Sequence, residues 1–288
     1  MTTILVTGAN GQLGNEMRNM ARVDQTRRYI FTDVQELDIT DLAQVQKFLT
    51  ENPVDFVVNC AAYTAVDKAE SEIELCRKIN ACAVENLAKA SAAIGAKMIH
   101  VSTDYVYSGT HYMPYVETDA VAPTSVYGVT KLEGEQLLLA SNPASVILRT
   151  SWLYSPYGNN FVKTMLRLGR EREKLSVVFD QVGTPTYAAD LAAAIVAVLG
   201  APEFKPGIYN FSDEGVCSWY DFTVTIHRLA GIDTCRVSPI NTSEYPTAAT
   251  RPFYSVMNKK KIKEAYQVAI PHWEESLRKC IDILQKQN

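Results

Sequence analysis

Short apolar runs alternate with amphipathic stretches through the first 150 residues of this 288-residue chain. The apolar runs fall at residues 4–6, 29–32, 56–59, 98–101 and 146–148. They are nearly continuous in hydrophobicity, which is the pattern of strands covered on both faces of a parallel sheet. Between them apolar positions recur at helical spacing over 12–21, 42–51, 75–94 and 126–139. Such repetition predicts βαβ units, and therefore an α/β fold with a doubly wound parallel sheet.

The regularity weakens after Arg149. The spacing predicts helices over 161–170, 188–199 and 273–285, and strands over 175–179 and 207–211. Residues 240–252, rich in Thr, Pro and Ala, read as an irregular loop. There is no repeat and no low-complexity linker. The expected organisation is a domain over residues 1–150 and a smaller mixed α/β region over 151–288, with segments crossing between the two.

Composition narrows the function classes. A net charge of −4 gives no electrostatic reason to expect nucleic acid or a membrane surface as partner. The longest apolar stretch, at 191–199, is too short to span a bilayer, and Met1-Thr2-Thr3 leads into a strand without a basic leader, so a cytoplasmic protein is expected. None of the six cysteines forms a CxxC pair, and buried free thiols are expected. The four histidines show no metal-ligand spacing.

The first strand runs into Thr7-Gly8-Ala9-Asn10-Gly11-Gln12-Leu13-Gly14. Gly8, Gly11 and Gly14 have the spacing of a dinucleotide-binding turn: one for the turn off the strand, one for backbone approach to a pyrophosphate, one for helix–sheet packing. The N–H groups opening the next helix then meet the phosphates. These features predict a Rossmann-type domain holding NADPH or NADH. Asp33, ending the second strand, is placed to accept from adenosine ribose hydroxyls, which tilts the choice towards NADH, while Arg18 could accommodate the extra phosphate of NADPH. Asp38 and Ile39 are candidates to lie beside the adenine. Small residues at Ala61, Ala62 and the adjoining Tyr63 let the backbone pass close to the dinucleotide.

Tyr127 and Lys131 stand four apart on a predicted helix and so share a face. A phenol titrates near ~10 and exchanges a proton at neutral pH only when its anion is stabilised, which a lysine ammonium can do. Thr103 ends the fourth strand, where open α/β sheets place ligands, and its hydroxyl can orient a carbonyl. Together with the glycine turn, Thr103, Tyr127 and Lys131 point to carbonyl reduction.

On these residues the chain resembles the extended short-chain dehydrogenases/reductases that act on nucleotide-sugars. The resemblance is strongest to the dTDP-4-dehydrorhamnose reductase family. It runs through Ala61-Ala62-Tyr63-Thr64-Ala65-Val66-Asp67-Lys68-Ala69-Glu70, Ser102-Thr103-Asp104-Tyr105-Val106-Tyr107 and Tyr127-Gly128-Val129-Thr130-Lys131. It continues through Arg149-Thr150-Ser151-Trp152-Leu153-Tyr154, Gly158-Asn159-Asn160-Phe161, Asp180-Gln181-Val182-Gly183-Thr184-Pro185-Thr186 and Arg251-Pro252. It implies NAD(P)H-dependent reduction of a sugar C4 ketone, with Tyr127 as proton donor and Lys131 supporting it. Thr103, Asp104 and Trp152 would contact the sugar. Asn160 and Arg251 are candidates for the diphosphate, and Gln181 for the base.

Some members of that family are dimers with Mg2+ bridging carboxylates, and both monomer and homodimer remain open here. Glu16 matches one such carboxylate. Where a second is expected this chain has Ala188-Ala189-Asp190, displaced by one position. Two other readings stay in view: a related nucleotide-sugar epimerase, and a non-catalytic regulatory subunit that keeps the fold. A dehydratase is disfavoured because Tyr105, not a glutamate, follows Asp104.

Overall fold

Five strands from the first half open the sheet in the computed structural model, which describes residues 1–287. They are β1 (Thr2–Thr7), β2 (Arg27–Phe31), β3 (Phe56–Asn59), β4 (Lys97–Thr103) and β5 (Ser145–Thr150). The sixth is Gly207–Asn210, and the order is β2–β1–β3–β4–β5–(Gly207–Asn210), parallel throughout.

Strand periodicity distributes the apolar side chains to two faces. Ile4, Val6, Val58, Ile99, Val146 and Leu148 face one side, where Leu13 and Met17 of α1 (Gln12–Val23) meet Leu191, Ile195 and Val198 of the helix Ala188–Gly200. Leu5, Val57, Met98 and Ile147 face the other, under Val45 and Leu49 of α2 (Leu42–Glu51) and Val84 and Leu87 of the helix Ala83–Ala93. Each such side chain contributes about 1.5–3 kcal/mol on burial. The doubly wound arrangement is thus the one that leaves neither face of these continuous apolar strands wet. The second half enters the same core through a strand and a helix, so the central sheet continues past position 150.

A further apolar cluster belongs to the second half, where Phe222, Trp273, Leu277 and Ile281 pack among Val162, Leu166 and Tyr187. The strand Lys174–Val178 matches its expected position, and it pairs in parallel with Arg236–Ile240. That partner strand and the helices Trp219–Ala230 and Lys260–Tyr266 are not evident from hydrophobic spacing. The first of these helices carries a readable start signal. Ser218 and Asp221 form a reciprocal capping box, and Gly231 closes the helix with φ 68°. Of the stretch 240–252, Ile240 ends the partner strand Arg236–Ile240, and the rest is irregular apart from one turn of 3-10 helix at Thr242–Glu244.

The expected helix over 75–94 is interrupted. It consists of Ile73–Arg77, a π turn at Lys78–Cys82, and Ala83–Ala93. Asn80, at the centre of the π turn, directs its side chain to Tyr63, accepting from the backbone N–H at 2.9 Å and donating to the carbonyl at 3.1 Å. The helix Val126–Ser141 presses against the same turn, and a Cβ on its Gly134 would lie 2.1 Å from the Asn80 carbonyl oxygen. A π turn at this spot widens the helix just where it meets a second helix and a loop. All six cysteines are free, and four are buried. No described helix is long and apolar enough to cross a membrane.

The contact at Gly134 yields a direct test. Gly134→Ala should lower stability by about 1–3 kcal/mol through overpacking against rigid backbone, even though alanine favours helix. A thermal melt at or above the parent temperature would show that the two helices can separate without cost.

Candidate active site

β1 lies between β2 and β3, so the chain leaves it towards one edge and returns on the other side. Ligands of open α/β sheets bind at the carboxyl ends of strands at such a reversal. There Gly8 has φ 63°, and a Cβ on it would sit 2.6 Å from the Ala61 nitrogen. Only glycine lets the two turns approach so closely. Gly14 packs as tightly, its notional Cβ 2.4 Å from the Gly8 carbonyl oxygen, and Gly11 donates to that oxygen at 3.1 Å. No side chain caps the start of α1, which leaves its opening N–H groups for an anion. Leu13 turns into the core, and Gln12 Oε1 accepts from Asn160 Nδ2 at 2.9 Å.

The far end of this crevice carries both expected side chains. Asp33 accepts from the Asn10 and Val34 N–H groups at 2.9 and 2.8 Å. Arg18 lies 4.6 Å over the Phe31 ring and donates to the Asn10 side chain at 3.4 Å. A carboxylate for ribose hydroxyls and a guanidinium for a phosphate thus flank one residue. Asp38 is turned inward to Thr40, which holds its carboxyl below the usual range, and Ile39 is buried. Ala61 donates its N–H to Asn59 Oδ1 at 3.1 Å, and the Tyr63 backbone is held by Asn80. These residues can receive an extended dinucleotide across the sheet edge.

At the end of β4, Thr103 donates to Asp104 Oδ1 at 3.0 Å and accepts from the Tyr105 N–H at 3.2 Å. The helix Val126–Ser141 brings the Tyr127 phenol beside the Thr103 hydroxyl, close enough to offset part of the rise that burial imposes on its pKa. Ser125 caps that helix on the Gly128 N–H at 3.2 Å, and Glu70 accepts from the Val126 N–H at 2.9 Å. Burial raises the Tyr127 phenol well above its ordinary range, so it is protonated at neutral pH. Burial likewise raises Asp104 to about 6. Ser255 beside the carboxyl partly offsets that rise, and the enclosed Oδ2 has no partner in hydrogen-bonding geometry among the described residues, so it can accept from a ligand.

Lys131 is 1% exposed. Its Nζ donates to the Val101 carbonyl at 2.7 Å and lies 3.3 Å from His100 Nε2. Burial lowers its pKa to about 8. The expectation that the ammonium bears on the phenol is thus refined: Tyr127 lies beside Thr103 at the end of β4, while Lys131 is anchored deeper along the same strand. His100, Asn59 and Asn80 belong to this site, although spacing alone gave no signal for them.

The second half supplies a wall. Trp152 adopts φ 47°, a strained conformation for a bulky residue, and stacks on Trp219 with ring centres 3.5 Å apart. Gly183 makes room for it, since a Cβ there would meet the indole at 2.8 Å. Arg251 pairs with Asp67 at 2.6 Å and donates to the Tyr105 hydroxyl at 3.3 Å. Tyr105 in turn packs edge-on to Tyr127, centres 5.5 Å apart. Gln181 donates to Thr242 Oγ1 at 3.1 Å, and Asn160 caps the helix Phe161–Glu171 while bracing Gln12. A groove of about 910 Å3 runs from Asn160 along Lys163, Arg167 and Arg170, away from Thr103 and Tyr127.

Glu16 and Asp190 do face one another despite the one-residue displacement: Asp190 contributes to the raised pKa of Glu16, behind burial. Glu16 accepts from Asn19 at 2.9 Å and Asp190 from Ser276 at 2.5 Å. Both carboxyls are shifted towards the neutral form by burial, and no group of three or more acidic, His or Cys side chains among the described residues is placed to hold a metal. This arrangement does not fit magnesium within one chain, and no step is assigned to it.

A glycine turn at a strand reversal, with a Thr–Tyr–Lys set at the next strand ends, defines a nicotinamide-dependent reductase of the short-chain type. The chain belongs to the family described as the RmlD substrate binding domain, whose model matches residues 1–286. A dTDP-4-dehydrorhamnose reductase of Aggregatibacter actinomycetemcomitans is 41% identical, over 96% of this chain and 98% of its own length. A crystal structure of a dTDP-4-dehydrorhamnose reductase from Clostridium acetobutylicum is 47% identical with TM-score 0.94, covering 99% of this chain and all of that one. The Bacillus anthracis enzyme of the same name, solved in complex with NADP, is 40% identical with TM-score 0.94, covering 98% and 100%.

Asp213 beside the Glu16–Asp190 pair sets a pH limit on stability. It is fully enclosed, and burial raises it to about 8, far above the ~3.9 of an unfolded aspartate. The folded state therefore holds this proton more tightly. Stability is lost as pH rises from about 4 to about 8, because the buried group must ionise. Asp213→Asn keeps an acceptor for the Tyr187 N–H and should melt above the parent at pH 9 with little difference at pH 4. Parallel melting curves across that range would refute the assignment.

Proposed function

We propose that this protein reduces the C4 ketone of dTDP-4-dehydro-β-L-rhamnose to dTDP-L-rhamnose, the last step in forming that nucleotide-sugar, with NADPH as reductant. The observation that carries this reading is the Thr103–Tyr127 contact beside the buried Lys131, at the carboxyl edge of a sheet whose glycine turn suits a dinucleotide. The substrate is that named for its close relatives, and the NADP held by the Bacillus anthracis enzyme supports the cofactor. The sequence favours NADH through Asp33. Arg18, stacked on Phe31 beside the same residue, supports NADPH instead.

When bound, the cofactor supplies a hydride to C4. Tyr127, protonated in its buried setting, donates its phenolic proton to the C4 oxygen as charge develops there. Thr103 holds that oxygen by a hydrogen bond. The unpaired Asp104 Oδ2 accepts from a sugar hydroxyl and fixes the ring. Lys131 supplies the proton that restores the phenol. Its pKa, lowered to about 8, makes the ammonium a stronger acid than the buried phenol, so that transfer runs downhill. Trp152 forms the apolar wall against the sugar, Arg251 takes the diphosphate when it leaves Asp67, and Gln181 addresses the base. Residues from 151 onward thereby form most of the sugar-nucleotide side, opposite the dinucleotide side.

The reaction is followed by loss of reduced-cofactor absorbance with the keto-sugar. Tyr127→Phe should lower kcat by about 10²–10⁴-fold while cofactor still binds. Near-native turnover in that variant, or no turnover in the parent with either cofactor, would remove the proposed role. Arg18→Ala should raise KM for NADPH by about tenfold and leave NADH unchanged, as expected for loss of one charged phosphate contact. Equal effects on both cofactors would place Arg18 outside the phosphate site.

A further inference from the structure

The contact between Lys131 and His100 has a handedness of protons that the side-chain network determines. Asn59 Oδ1 receives two donors, the Ala61 backbone N–H at 3.1 Å and the Thr7 hydroxyl at 2.7 Å. A backbone N–H can only donate, so this end of the amide must be the oxygen. The Asn59 Nδ2 group then faces His100 Nδ1 at 3.1 Å. An amide nitrogen can only donate, so Nδ1 is the unprotonated ring nitrogen. His100 is wholly enclosed, and both its burial and the Lys131 charge oppose the imidazolium. Its one proton therefore sits on Nε2, the atom 3.3 Å from Lys131 Nζ.

This geometry cannot satisfy the ammonium. Two donors face each other while Lys131 is charged, and its good acceptor is the Val101 carbonyl. Once Lys131 is an amine, its lone pair accepts from His100 Nε2–H and the contact becomes a hydrogen bond. We propose that His100 is a positioning residue for the proton transfer: an imidazole locked in its Nε2–H form that receives the Lys131 amine after Lys131 has given its proton to restore Tyr127. The inference rests on the catalytic reading of Lys131 and Tyr127 above. The balance is simple. The phenolic proton of Tyr127 goes to the C4 oxygen, the Lys131 proton goes to the phenolate, and a solvent proton later restores the ammonium. His100 neither gains nor loses one.

The other groups around Lys131 come from two helices. Glu135, one turn on along the same helix, favours the ammonium but is itself held by Arg149 of β5. Cys76 comes from the helix Ile73–Arg77, and Tyr127 lies one turn back. His100 is thus the neighbour that favours the amine through a directed bond.

The test combines spectroscopy with kinetics. In protein labelled with 15N at histidine, the His100 ring should show a protonated Nε2 and a bare Nδ1, unchanged between pH 6 and 9. A protonated Nδ1 overturns the proposal, and this reading does not depend on turnover. Removing the amine-favouring donor in His100→Phe should raise the Lys131 pKa. The alkaline limb of the kcat profile would then move up by about one pH unit, and kcat at neutral pH would fall by about tenfold with cofactor KM unchanged. His100→Gln returns an N–H near the Nε2 position and should recover most of both. If the phenylalanine variant does not fold, Asn59→Asp serves instead: a carboxylate accepts from Nδ1–H, reverses the tautomer and should move the same limb upward. A limb that stays in place in the folded variants, or glutamine no better than phenylalanine at equal melting temperature, overturns the proposal. Failure of the catalytic reading is told apart by Tyr127→Phe, which would then leave turnover intact whatever the ring nitrogens show.

Discussion

The Asn59 side chain is the constraint on which the carboxyl edge of the sheet depends. One amide ties the end of β1 through Thr7, the turn after β3 through Ala61, and the middle of β4 through His100. Because it is fully buried, each of these bonds acts in a low dielectric, and loss of any would leave an enclosed polar group unpaired, at about 1–3 kcal/mol. The Gly8 turn can press against Ala61 only because that turn is held in place. The close approach that opens the dinucleotide crevice and the tautomer that faces Lys131 are therefore set by the same group.

A second tie joins the two halves of the chain. The run Val66-Asp67-Lys68-Ala69-Glu70 contributes little to the apolar core, yet its two acids have specific work. Glu70 accepts from the Val126 N–H and so orients the start of the Tyr127 helix, where an anion also meets the positive end of the helix dipole. Asp67 accepts from Arg251 and from the Ala249 N–H, drawing the irregular loop of the second half over Tyr105 and hence beside Tyr127. The Asp67–Arg251 pair is partly exposed and adds little stability by itself. Its effect is positional, and it leaves Arg251 free to exchange one anion for another.

The central sheet was legible because its first five strands each carry a short, nearly continuous apolar run, and the reversal at β1 follows from a glycine turn placed directly after the first of them. The second half was harder to read for identifiable reasons. The helix Trp219–Ala230 mixes aromatic, Thr and His positions and shows itself chiefly through the Ser218–Asp221 box. The strand Arg236–Ile240 contains a proline and lies at the edge of a two-stranded pairing, where apolar continuity is not required. In the site, Thr103, Tyr127 and Lys131 were found from spacing and strand ends. Asn59, Asn80 and His100 were not, since their roles are defined by partners distant in sequence. The expected straight helix over 75–94 failed for the same reason: Asn80 widens it to reach Tyr63, seventeen residues away.

Two buried cations on neighbouring elements separate structural from chemical use of charge. Arg149 donates to both Glu135 oxygens, at 3.0 and 2.7 Å, and to the Tyr107 hydroxyl at 3.0 Å, so its charge is matched and its geometry fixed. A charge so compensated has no reason to leave its state, and its loss would expose an uncompensated acid to a dry interior. Lys131, one helical turn from that same Glu135, has one strong acceptor and a donor facing it. Asp104 nearby keeps an enclosed oxygen with no partner among the described residues. Incomplete pairing of this kind destabilises the resting fold, and at Lys131 and Asp104 it falls on groups that exchange a proton or meet the ligand. The fold concentrates its satisfied polar contacts at Asn59, Asn80 and Arg149, and this rigid surround allows Lys131 and Asp104 to stay poised between two states rather than relax into one.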